Sequence, residues 1–165
     1  LLPKALEAPM KRVGVISDTH GFLDPKIQTI FRGVDHIFHA GDIGPMSLIS
    51  QIEAWAPVTA VTGNTDFGID YPATAVVSIE DNKFVIHHIV SPGSPHQSIT
   101  DALERESPNA VIFGHTHRQC CQKLEDVLYL NPGYSGRARR GTRRSVAILT
   151  LDSKLGIETE FVPLD

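Results

Sequence analysis

Short apolar runs rich in valine and isoleucine recur along the chain, bounded by glycine, proline, asparagine or aspartate. In chain order they are RVGVIS, VDHIFHA, VTAVT, TAVVSI, FVIHHIV, AVIFG, VLYL, SVAILTL and IETEFV. β-Branched runs of this length between turn residues are typical of β-strands, and their unbroken apolarity is typical of strands covered on both faces. The sequence therefore predicts β-sheets that other elements bury.

Three stretches between the early strands have the pattern of helices. DPKIQTIFRG opens with Asp24 as a candidate N-cap and Pro25 in the first turn, GPMSLISQIEAW carries apolar residues at helical spacing, and SITDALERESP stops near Pro108. Strand and helix alternate in the first half of the chain, whereas strand follows strand from Cys120 onward. This order predicts an α/β fold with mixed sheets and helices on the outside.

Size and composition predict one ordinary globular domain. The chain has 165 residues, of which 41% are hydrophobic and 21% charged, which is the range of a single domain with a normal core. Its net charge of -4 argues against a surface built as a whole to bind nucleic acid or anionic lipid. Because a clear strand begins only after Met10, we expect residues 1–9 to be an extension or tag remnant and residues 10–165 to form the domain.

The cellular location is predicted from what the sequence lacks. No stretch approaches the roughly 18 apolar residues that a membrane span needs, and the first residues lack the apolar core of a secretory signal. Cys120 and Cys121 are adjacent and cannot form an ordinary disulfide framework. A cytoplasmic protein without a membrane partner is therefore expected, and its oligomeric state stays open, a homodimer included.

Polar residues of a particular kind follow the ends of the predicted strands. SDTHG follows the first strand, AGD the second, GNTD the third and GHTH a later one, while FVIHHIV carries two adjacent histidines near its end. In open α/β sheets ligands bind beyond the carboxyl ends of the strands, so side chains from distant parts of the chain should converge there. The seven candidates are Asp18, His20, Asp42, Asn64, His87, His115 and His117.

The types and spacing of these residues indicate a metal site. Asp18 and His20, like His115 and His117, are two residues apart, and in an extended strand end residues at this spacing point to the same side. Carboxylate, amide and imidazole donors together suit Mn, Fe, Co, Ni or Zn rather than Ca, which prefers oxygen alone. Seven donors fit two ions that share a carboxylate better than one ion. Glycines beside three of the candidates would let the backbone turn sharply and approach an ion.

The motifs SDTHG, AGD, GNTD, GHTH and NPG, with a histidine at the end of an apolar strand, resemble in this order the calcineurin-like metallophosphoesterases. They are most similar to the small single-domain bacterial and archaeal phosphodiesterases of that superfamily, and the match runs from about residue 11 to residue 162. The resemblance implies a four-layer α/β sandwich, in which two mixed β-sheets pack face to face with helices on both outer sides.

The resemblance also implies how the seven residues are used. Asp18, His20 and His117 would bind one divalent ion, Asn64, His87 and His115 the other, and Asp42 would bridge the two. In such a metal pair, with ions roughly 3.5–4 Å apart, a shared water becomes a hydroxide that attacks phosphorus while the ions hold a phosphate oxygen. The implied activity is hydrolysis of phosphate esters, most naturally diesters, with Asp42 and Asn64 taking part in catalysis.

Two positions depart from the pattern of that family. Many relatives follow the metal-binding asparagine with a histidine that protonates the leaving group, whereas this chain has Thr65, whose hydroxyl is too weak an acid. His88 is the candidate substitute for this catalytic acid. The small-phosphodiesterase branch tends to have His-Gly-His where this chain has HHI, so His87 matches the ligand position and Ile89 replaces the second histidine. A diester with a good leaving group is therefore the expected substrate.

Five arginines lie within eight residues after the motif NPGY: Arg137, Arg139, Arg140, Arg143 and Arg144. Because a guanidinium matches phosphate oxygens, a flexible arm at this place could hold a nucleotide or the end of a short oligonucleotide. The alternative is a solvated loop, since runs of charge commonly serve solubility.

Other functions stay open at this point. A phosphomonoesterase fits the same motifs, and a non-catalytic interaction scaffold is the second alternative, because a eukaryotic retromer subunit is similar to this fold and works through its surfaces. Two residues near the motifs have structural interpretations. His39 is expected to pack in its sheet, where it could donate a hydrogen bond toward the site, and Asp66 is expected to stabilise its loop.

Overall fold

A computed structural model of the chain describes residues 10–94 and 97–165, apart from the side chains of residues 97 and 98. The predicted extension, residues 1–9, lies outside the described residues. The described helices and strands follow in this order: β1 (Lys11–Ile16), α1 (Pro25–Ile30), β2 (His36–His39), α2 (Met46–Glu53), β3 (Val58–Ala60), β4 (Thr74–Ile79), β5 (Asn82–His87), α3 (Gln97–Glu106), β6 (Ala110–Ile112), β7 (Gln119–Leu124), β8 (Val127–Pro132), β9 (Ser145–Asp152) and β10 (Gly156–Pro163).

Two five-stranded mixed sheets organise these elements. The first has the strand order β10-β9-β1-β2-β3, in which β1, β2 and β3 are parallel and the other pairs antiparallel. The second has the order β4-β5-β6-β8-β7, in which β5, β6 and β8 are parallel and the edge strands antiparallel. Each of the predicted apolar runs overlaps one of these strands. The remaining strand, β7, has the sequence QCCQKL and lies largely exposed, so no apolar run marks it.

The two sheets pack face to face, and helices cover their outer faces. The cluster between the sheets includes Val13, Val15 and Phe38 of the first sheet and Phe84 and Ile86 of the second, all fully buried. A second cluster joins the outer face of the first sheet to α1 and α2, and a third joins the outer face of the second sheet to α3. The predicted four-layer α/β arrangement is confirmed. In the described ranges, no helix is both long and apolar enough to cross a bilayer.

The first helix begins where the sequence predicts, and a buried arginine ties it to a distant part of the chain. Asp24 caps α1 by accepting from the backbone N–H of Lys26 at 2.9 Å, with Pro25 in the first turn. The other oxygen of Asp24 accepts from Arg144 at 2.9 Å, and Arg144 also donates to Asp165 at 2.8 Å. Arg144 is only 8% exposed. One of the five clustered arginines therefore serves the fold, because a buried guanidinium needs carboxylates beside it.

Replacing this arginine is expected to destabilise the fold. Arg144→Met leaves the buried Asp24 and the half-exposed Asp165 without their cation, and we expect a loss of about 2–3 kcal/mol in the free energy of unfolding at pH 7. Urea denaturation followed by circular dichroism measures this loss. Arg140→Met makes the same chemical change at an exposed arginine nearby and should cost less than about 0.5 kcal/mol.

The pKa values of the two carboxyl groups define the pH range of this effect. Burial alone would raise the pKa of Asp24, but the Lys26 backbone N–H and the Arg144 guanidinium outweigh burial and lower it. Hydrogen bonds from Arg144 also lower the pKa of Asp165. A carboxyl whose pKa is lowered by folding stabilises the fold above its unfolded pKa of about 4 and loses this contribution as the pH falls through the folded value. The difference between wild type and Arg144→Met should therefore shrink below about pH 4, and a difference that stayed constant at more acidic pH would contradict the ion pairs.

Candidate metal centre

The polar residues that follow the strand ends of both sheets meet at one edge of the molecule. β1 and β2 of the first sheet and β5 and β6 of the second each lead into a loop that carries some of them. Six side chains form two groups, and within each group the ligand atoms lie within 4.8 Å of one another. The groups are Asp18, His20 and His117, and Asp42, His88 and His115. Five of the six are predicted metal ligands, and the sixth, His88, is the predicted catalytic acid.

Asp42 lies between the two groups. Its Oδ2 atom is 3.3 Å from Nε2 of His88 and 3.8 Å from Nε2 of His20. Its Oδ1 atom accepts from the backbone N–H of Thr65 at 2.9 Å. One carboxylate oxygen therefore faces a histidine of each group, while the other oxygen holds the carboxylate in place.

Three buried ligand atoms have no hydrogen-bond partner among the described residues: Asp18 Oδ1, His20 Nε2 and His88 Nε2. Buried polar atoms are nearly always paired, so each unpaired one needs a physical reason. Asp18 Oδ1 lies 3.9 Å from both of these nitrogens and 3.3 Å from Nε2 of His117, so all of these atoms face one small space. Carboxylate oxygens and imidazole nitrogens that converge in this way are the donor set of a transition-metal ion.

The ring of His88 is oriented by the loop that follows β2. Its Nδ1 atom lies 2.7 Å from the carbonyl oxygen of Ala40. Because a carbonyl oxygen can only accept, the assigned tautomer carries its proton on Nδ1 and keeps a lone pair on Nε2. A histidine that donates one ring N–H to a carbonyl and offers the other nitrogen to an ion is the usual arrangement in metal sites.

Of the two neighbouring histidines, the structure brings His88 and not His87 to the metal groups, the reverse of the expected roles. His87 pairs with Thr74 across the β4–β5 ladder, and its Nδ1 lies 2.8 Å from the Thr74 hydroxyl. Alternate residues of a strand share a face, so His88 continues the face of Phe84 and Ile86, which pack between the two sheets. The metal groups lie at the open edge of that same interface, which is why the second histidine reaches them.

Asn64, the remaining predicted ligand, lies beside the second group. Its Oδ1 atom is 3.0 Å from Nδ1 of His115, and both residues are exposed at the rim. The amide oxygen of Asn64 therefore accepts from the His115 ring in the tautomer that carries a proton on Nδ1. The structure thus gathers the predicted ligands at this edge with His87 as the exception.

The backbone turns sharply at the ligands and does not continue as extended strand. Five candidate ligands have positive φ angles: Asp18 (56°), His20 (46°), Asp42 (52°), His115 (72°) and His117 (59°). The expectation that these residues sit on extended strand ends is therefore wrong, since β1, β2 and β6 stop before the ligands begin. Left-handed residues other than glycine cost of order 1–3 kcal/mol each, although aspartate and histidine tolerate this region better than most.

Hydrogen bonds between the loops hold this strained backbone. The backbone N–H groups of Asp18 and His20 donate to carbonyls of the loop after β2 at 3.0 and 2.9 Å. The carboxylate of Asp66 accepts from the backbone N–H groups of residues 43, 44 and 63 at distances of 2.8–3.2 Å. Asp66 thereby joins two of the loops that carry ligands, and its predicted role as a loop-stabilising carboxylate is confirmed.

Buried His39 joins the loops after β1 and β2. The Thr19 hydroxyl donates to a backbone carbonyl of the second loop at 2.8 Å, so it accepts from Nε2 of His39 at 2.9 Å. Nδ1 of His39 accepts from the backbone N–H of Gly41 at 3.2 Å. Burial lowers the pKa of His39 to about 3, so the ring stays neutral and keeps this pattern. The predicted hydrogen bond toward the site is confirmed, because Thr19 stands between Asp18 and His20 in the sequence.

Two glycines are required because backbone approaches the carboxylates closely. A Cβ atom on Gly63 would overlap the carboxylate and backbone nitrogen of Asp42. A Cβ atom on Gly114 would overlap the Ser17 hydroxyl and lie 2.7 Å from Oδ2 of Asp18. The glycines of GNTD and GHTH therefore permit close packing of the loops against the two carboxylates, whereas the sequence predicts for them a close approach to an ion.

Burial, hydrogen bonds and neighbouring charges together set the protonation of two candidate ligands, Asp42 and His117. Burial alone would raise the pKa of Asp42, but hydrogen bonds from Thr65 and the nearby histidine charges outweigh it, and the pKa is lowered. Burial lowers the pKa of His117, and nearby cations lower it further against the opposing effect of Asp18. At neutral pH Asp42 is therefore an anion and His117 a neutral imidazole, which are the forms that bind a metal ion.

Tyr134, to which the sequence alone assigns no role, packs against the first group. Its ring centroid lies 4.7 Å from that of His117 and 6.3 Å from that of His20. The ring is almost completely buried, and its hydroxyl donates to the backbone carbonyl of Arg137 at 2.9 Å. Tyr134 therefore limits how the two imidazoles can turn. Its position directly after NPG is the one signal in the sequence that marks it.

Comparison with known proteins shows the family to which the chain belongs. The calcineurin-like phosphoesterase superfamily domain matches residues 10–154. A probable metallophosphoesterase of Methanothermobacter thermautotrophicus is 35% identical over 150 residues, which cover 86% of this chain and 87% of that protein. A solved structure of an archaeal phosphodiesterase is 29% identical, with a TM-score of 0.73 and coverage of 93% of this chain and 99% of that chain.

Vps29 of Entamoeba histolytica, solved in complex with zinc, has a TM-score of 0.71 at 18% identity over 93% of this chain and 99% of that chain, and this likeness concerns the fold alone. The family match, by contrast, covers most of the sequence and includes every group of ligands described above. The chain therefore belongs to the calcineurin-like phosphoesterase superfamily.

Proposed function

We propose that this protein is a phosphodiesterase that depends on two divalent transition-metal ions. The observation that carries the proposal is the convergence of three buried ligand atoms without hydrogen-bond partners among the described residues, with Asp42 between the two groups. The proposed ligands are Asp18, His20 and His117 for one ion, Asn64, His88 and His115 for the other, and Asp42 for both. This mixture of nitrogen and oxygen donors suits Mn, Ni, Fe, Co or Zn.

The side chains prepare the site for such a pair. When bound, the two ions would activate a water molecule as nucleophile near neutral pH and offset charge on the phosphate. Asp42 supplies the shared negative charge and is kept in position by the Thr65 backbone N–H. Tyr134 packs on two histidines of the first group and restricts their rotation. Ligands held in this way lose little conformational freedom when a metal or substrate binds.

The side chains that could protonate a leaving group at this site favour a diester with a good leaving group. The Nδ1 proton of His88 is used by the carbonyl of Ala40, and its Nε2 faces the metal groups, so we assign His88 as a ligand and not as the leaving-group acid. Thr65 offers only a hydroxyl at the position after Asn64. A leaving group that departs without protonation is therefore the best substrate for this site. The similarity to an archaeal phosphodiesterase supports the same choice.

A screen of metals against substrates tests the proposal. The purified protein is stripped with a chelator, supplied with Mn, Ni, Co, Zn or Mg, and given bis(p-nitrophenyl) phosphate, p-nitrophenyl phosphate, cyclic nucleotides and short RNA. We expect diester hydrolysis that requires an added transition metal and is faster than monoester hydrolysis. Faster monoester hydrolysis would make the protein a phosphomonoesterase. A lack of turnover with every metal would favour the interaction scaffold.

A further inference from the structure

A cleft of about 490 Å³ opens directly beside the first metal group. It is lined by residues 116–118 of the loop after β6, by Gln119 at the start of β7 and by residues 141–143 of the arginine-rich segment. His117 belongs both to the wall of this cleft and to the first metal group. Arg118 and Arg143 line the cleft from the two segments, and both are exposed. A ligand in the cleft would thus meet guanidinium groups and the metal ligands together.

The arginine-rich segment is held against the body of the protein. Arg144 anchors one end through its buried carboxylate contacts, and the hydroxyl of Tyr134 binds the carbonyl of Arg137 at the other. The guanidinium of Arg139 lies over the Tyr134 ring at 4.7 Å, and that of Arg137 lies over the Phe22 ring at 4.8 Å. The segment is therefore a wall that is tied to the body of the protein at both ends, with two of its guanidinium groups held over aromatic rings.

Positive charge is concentrated on this wall without acidic partners. Among the described residues, five arginines make no ion pair: Arg118 in the loop after β6, and Arg137, Arg139, Arg140 and Arg143 in the arginine-rich segment. Of these, Arg118 and Arg143 line the cleft. This is unexpected in a chain whose net charge is -4. Arg144, which supports the fold, does have its carboxylates. Guanidinium groups left free beside a phosphate-ester site match the charge and planar geometry of a phosphate.

We infer that this cleft binds a second phosphate of the substrate through Arg118 and Arg143. The substrate class is then a nucleotide diester that carries a further phosphate, such as a dinucleotide phosphorylated at one end. This inference rests on the proposed function, because the phosphate to be cleaved would lie at the metal groups. Hydrolysis of an activated diester that carries no second phosphate would not show this role of the arginines.

Three dinucleotides test the inference: the thymidine dinucleotide and its forms with a 5′-phosphate or a 3′-phosphate. Chromatography of the products counts only cleavage between the nucleosides. We expect one phosphorylated form to have a kcat/KM at least about tenfold above that of the plain dinucleotide, since a phosphate gains a charge-assisted contact to arginine. Arg143→Gln and Arg118→Gln should each reduce this preference to less than about threefold.

The matched control is Arg140→Gln, which removes an exposed arginine of the same segment outside the cleft. It should keep the preference of the wild type. If wild type hydrolyses bis(p-nitrophenyl) phosphate but prefers neither phosphorylated dinucleotide, the inference is overturned while the proposed function stands. An equal loss of preference in Arg140→Gln and Arg143→Gln would overturn the inference as well, because the preference would then not depend on the cleft.

Binding to the metal-free protein provides a test that does not depend on turnover. Thymidine 3′,5′-bisphosphate is titrated into chelator-treated protein by calorimetry at low salt. We expect Arg143→Gln to weaken binding by about tenfold and to reduce its salt dependence, whereas Arg140→Gln should bind like wild type. Equal binding by wild type and Arg143→Gln would sink the inference, whatever the outcome of the screen for activity. Thermal melts confirm that each variant is folded.

Discussion

Asp42→Asn is expected to lower kcat for bis(p-nitrophenyl) phosphate by at least about 1,000-fold and to remove most of the bound metal. The physical reason lies in how the carboxylate is held. Oδ1 accepts from the Thr65 backbone N–H, so an asparagine that keeps this bond must turn its NH₂ group to the position of Oδ2. That position faces Nε2 of His20 and Nε2 of His88, where a metal ion needs a lone pair and a negative charge.

Metal content by elemental analysis and steady-state kinetics measure both parts of this prediction. Asp70→Asn makes the same change at an exposed aspartate outside the metal groups and should retain metal and rate. Circular dichroism of the chelator-treated variant and wild type checks that both are folded, because the lowered pKa of Asp42 means that the folded protein favours the charge that the substitution removes. Full metal content and an undiminished rate in Asp42→Asn would rule out the bridging role.

His88→Ala is expected to lower the rate by at least about 100-fold and to abolish binding of the second ion, whereas His87→Ala should stay within about tenfold of wild type. His88 is 2% exposed, and its unpaired Nε2 faces the metal groups. His87 instead bonds Thr74 on the neighbouring strand, so its removal costs a hydrogen bond within the sheet, worth about 1 kcal/mol. The pair of variants therefore separates the two adjacent histidines.

A second substitution guards against a folding defect, since alanine leaves a cavity at a buried site. His88→Gln keeps much of the volume, and its amide can donate to the Ala40 carbonyl, yet it lacks the imidazole nitrogen. Both His88 variants should remain folded by circular dichroism and bind about half of the wild-type metal. If His87→Ala lost the metal and His88→Gln kept it, the assignment made from the sequence would be restored.

The positions of the strands along the chain follow closely from the sequence, because a strand buried on both faces needs a continuous apolar run. Nine of the strands coincide with the predicted runs, and Asp24 begins α1 as its cap. β7 is the exception, since an exposed antiparallel edge strand needs no apolar side chains. The strand-end motifs are visible for a related reason. Polar groups are excluded from the buried strands, so a carboxylate or histidine directly after one stands out.

The choice between His87 and His88 illustrates what the sequence leaves undecided. Strand β5 is covered on both faces, so FVIHHIV shows no alternation of apolar and polar residues that would tell which histidine faces the partner sheet. The answer depends on the register of β4 against β5, which pairs His87 with Thr74. Arg144 is a similar case. Nothing in the run of arginines distinguishes the buried member from its exposed neighbours, because its carboxylates come from residues 24 and 165.

By itself, the sequence determined most of the strands, the edge of the molecule at which the site forms and the kinds of ligand found there, because strand burial and strand-end polarity are local properties of the chain. The packing of two sheets face to face was predicted only through the resemblance to a known family. Only the tertiary structure decided which of His87 and His88 joins the second group, how the left-handed turns aim the carboxylates and which arginine is buried between carboxylates. Those features arise from contacts between residues far apart in the chain. Their energies depend on distance and burial in three dimensions, which no local pattern records.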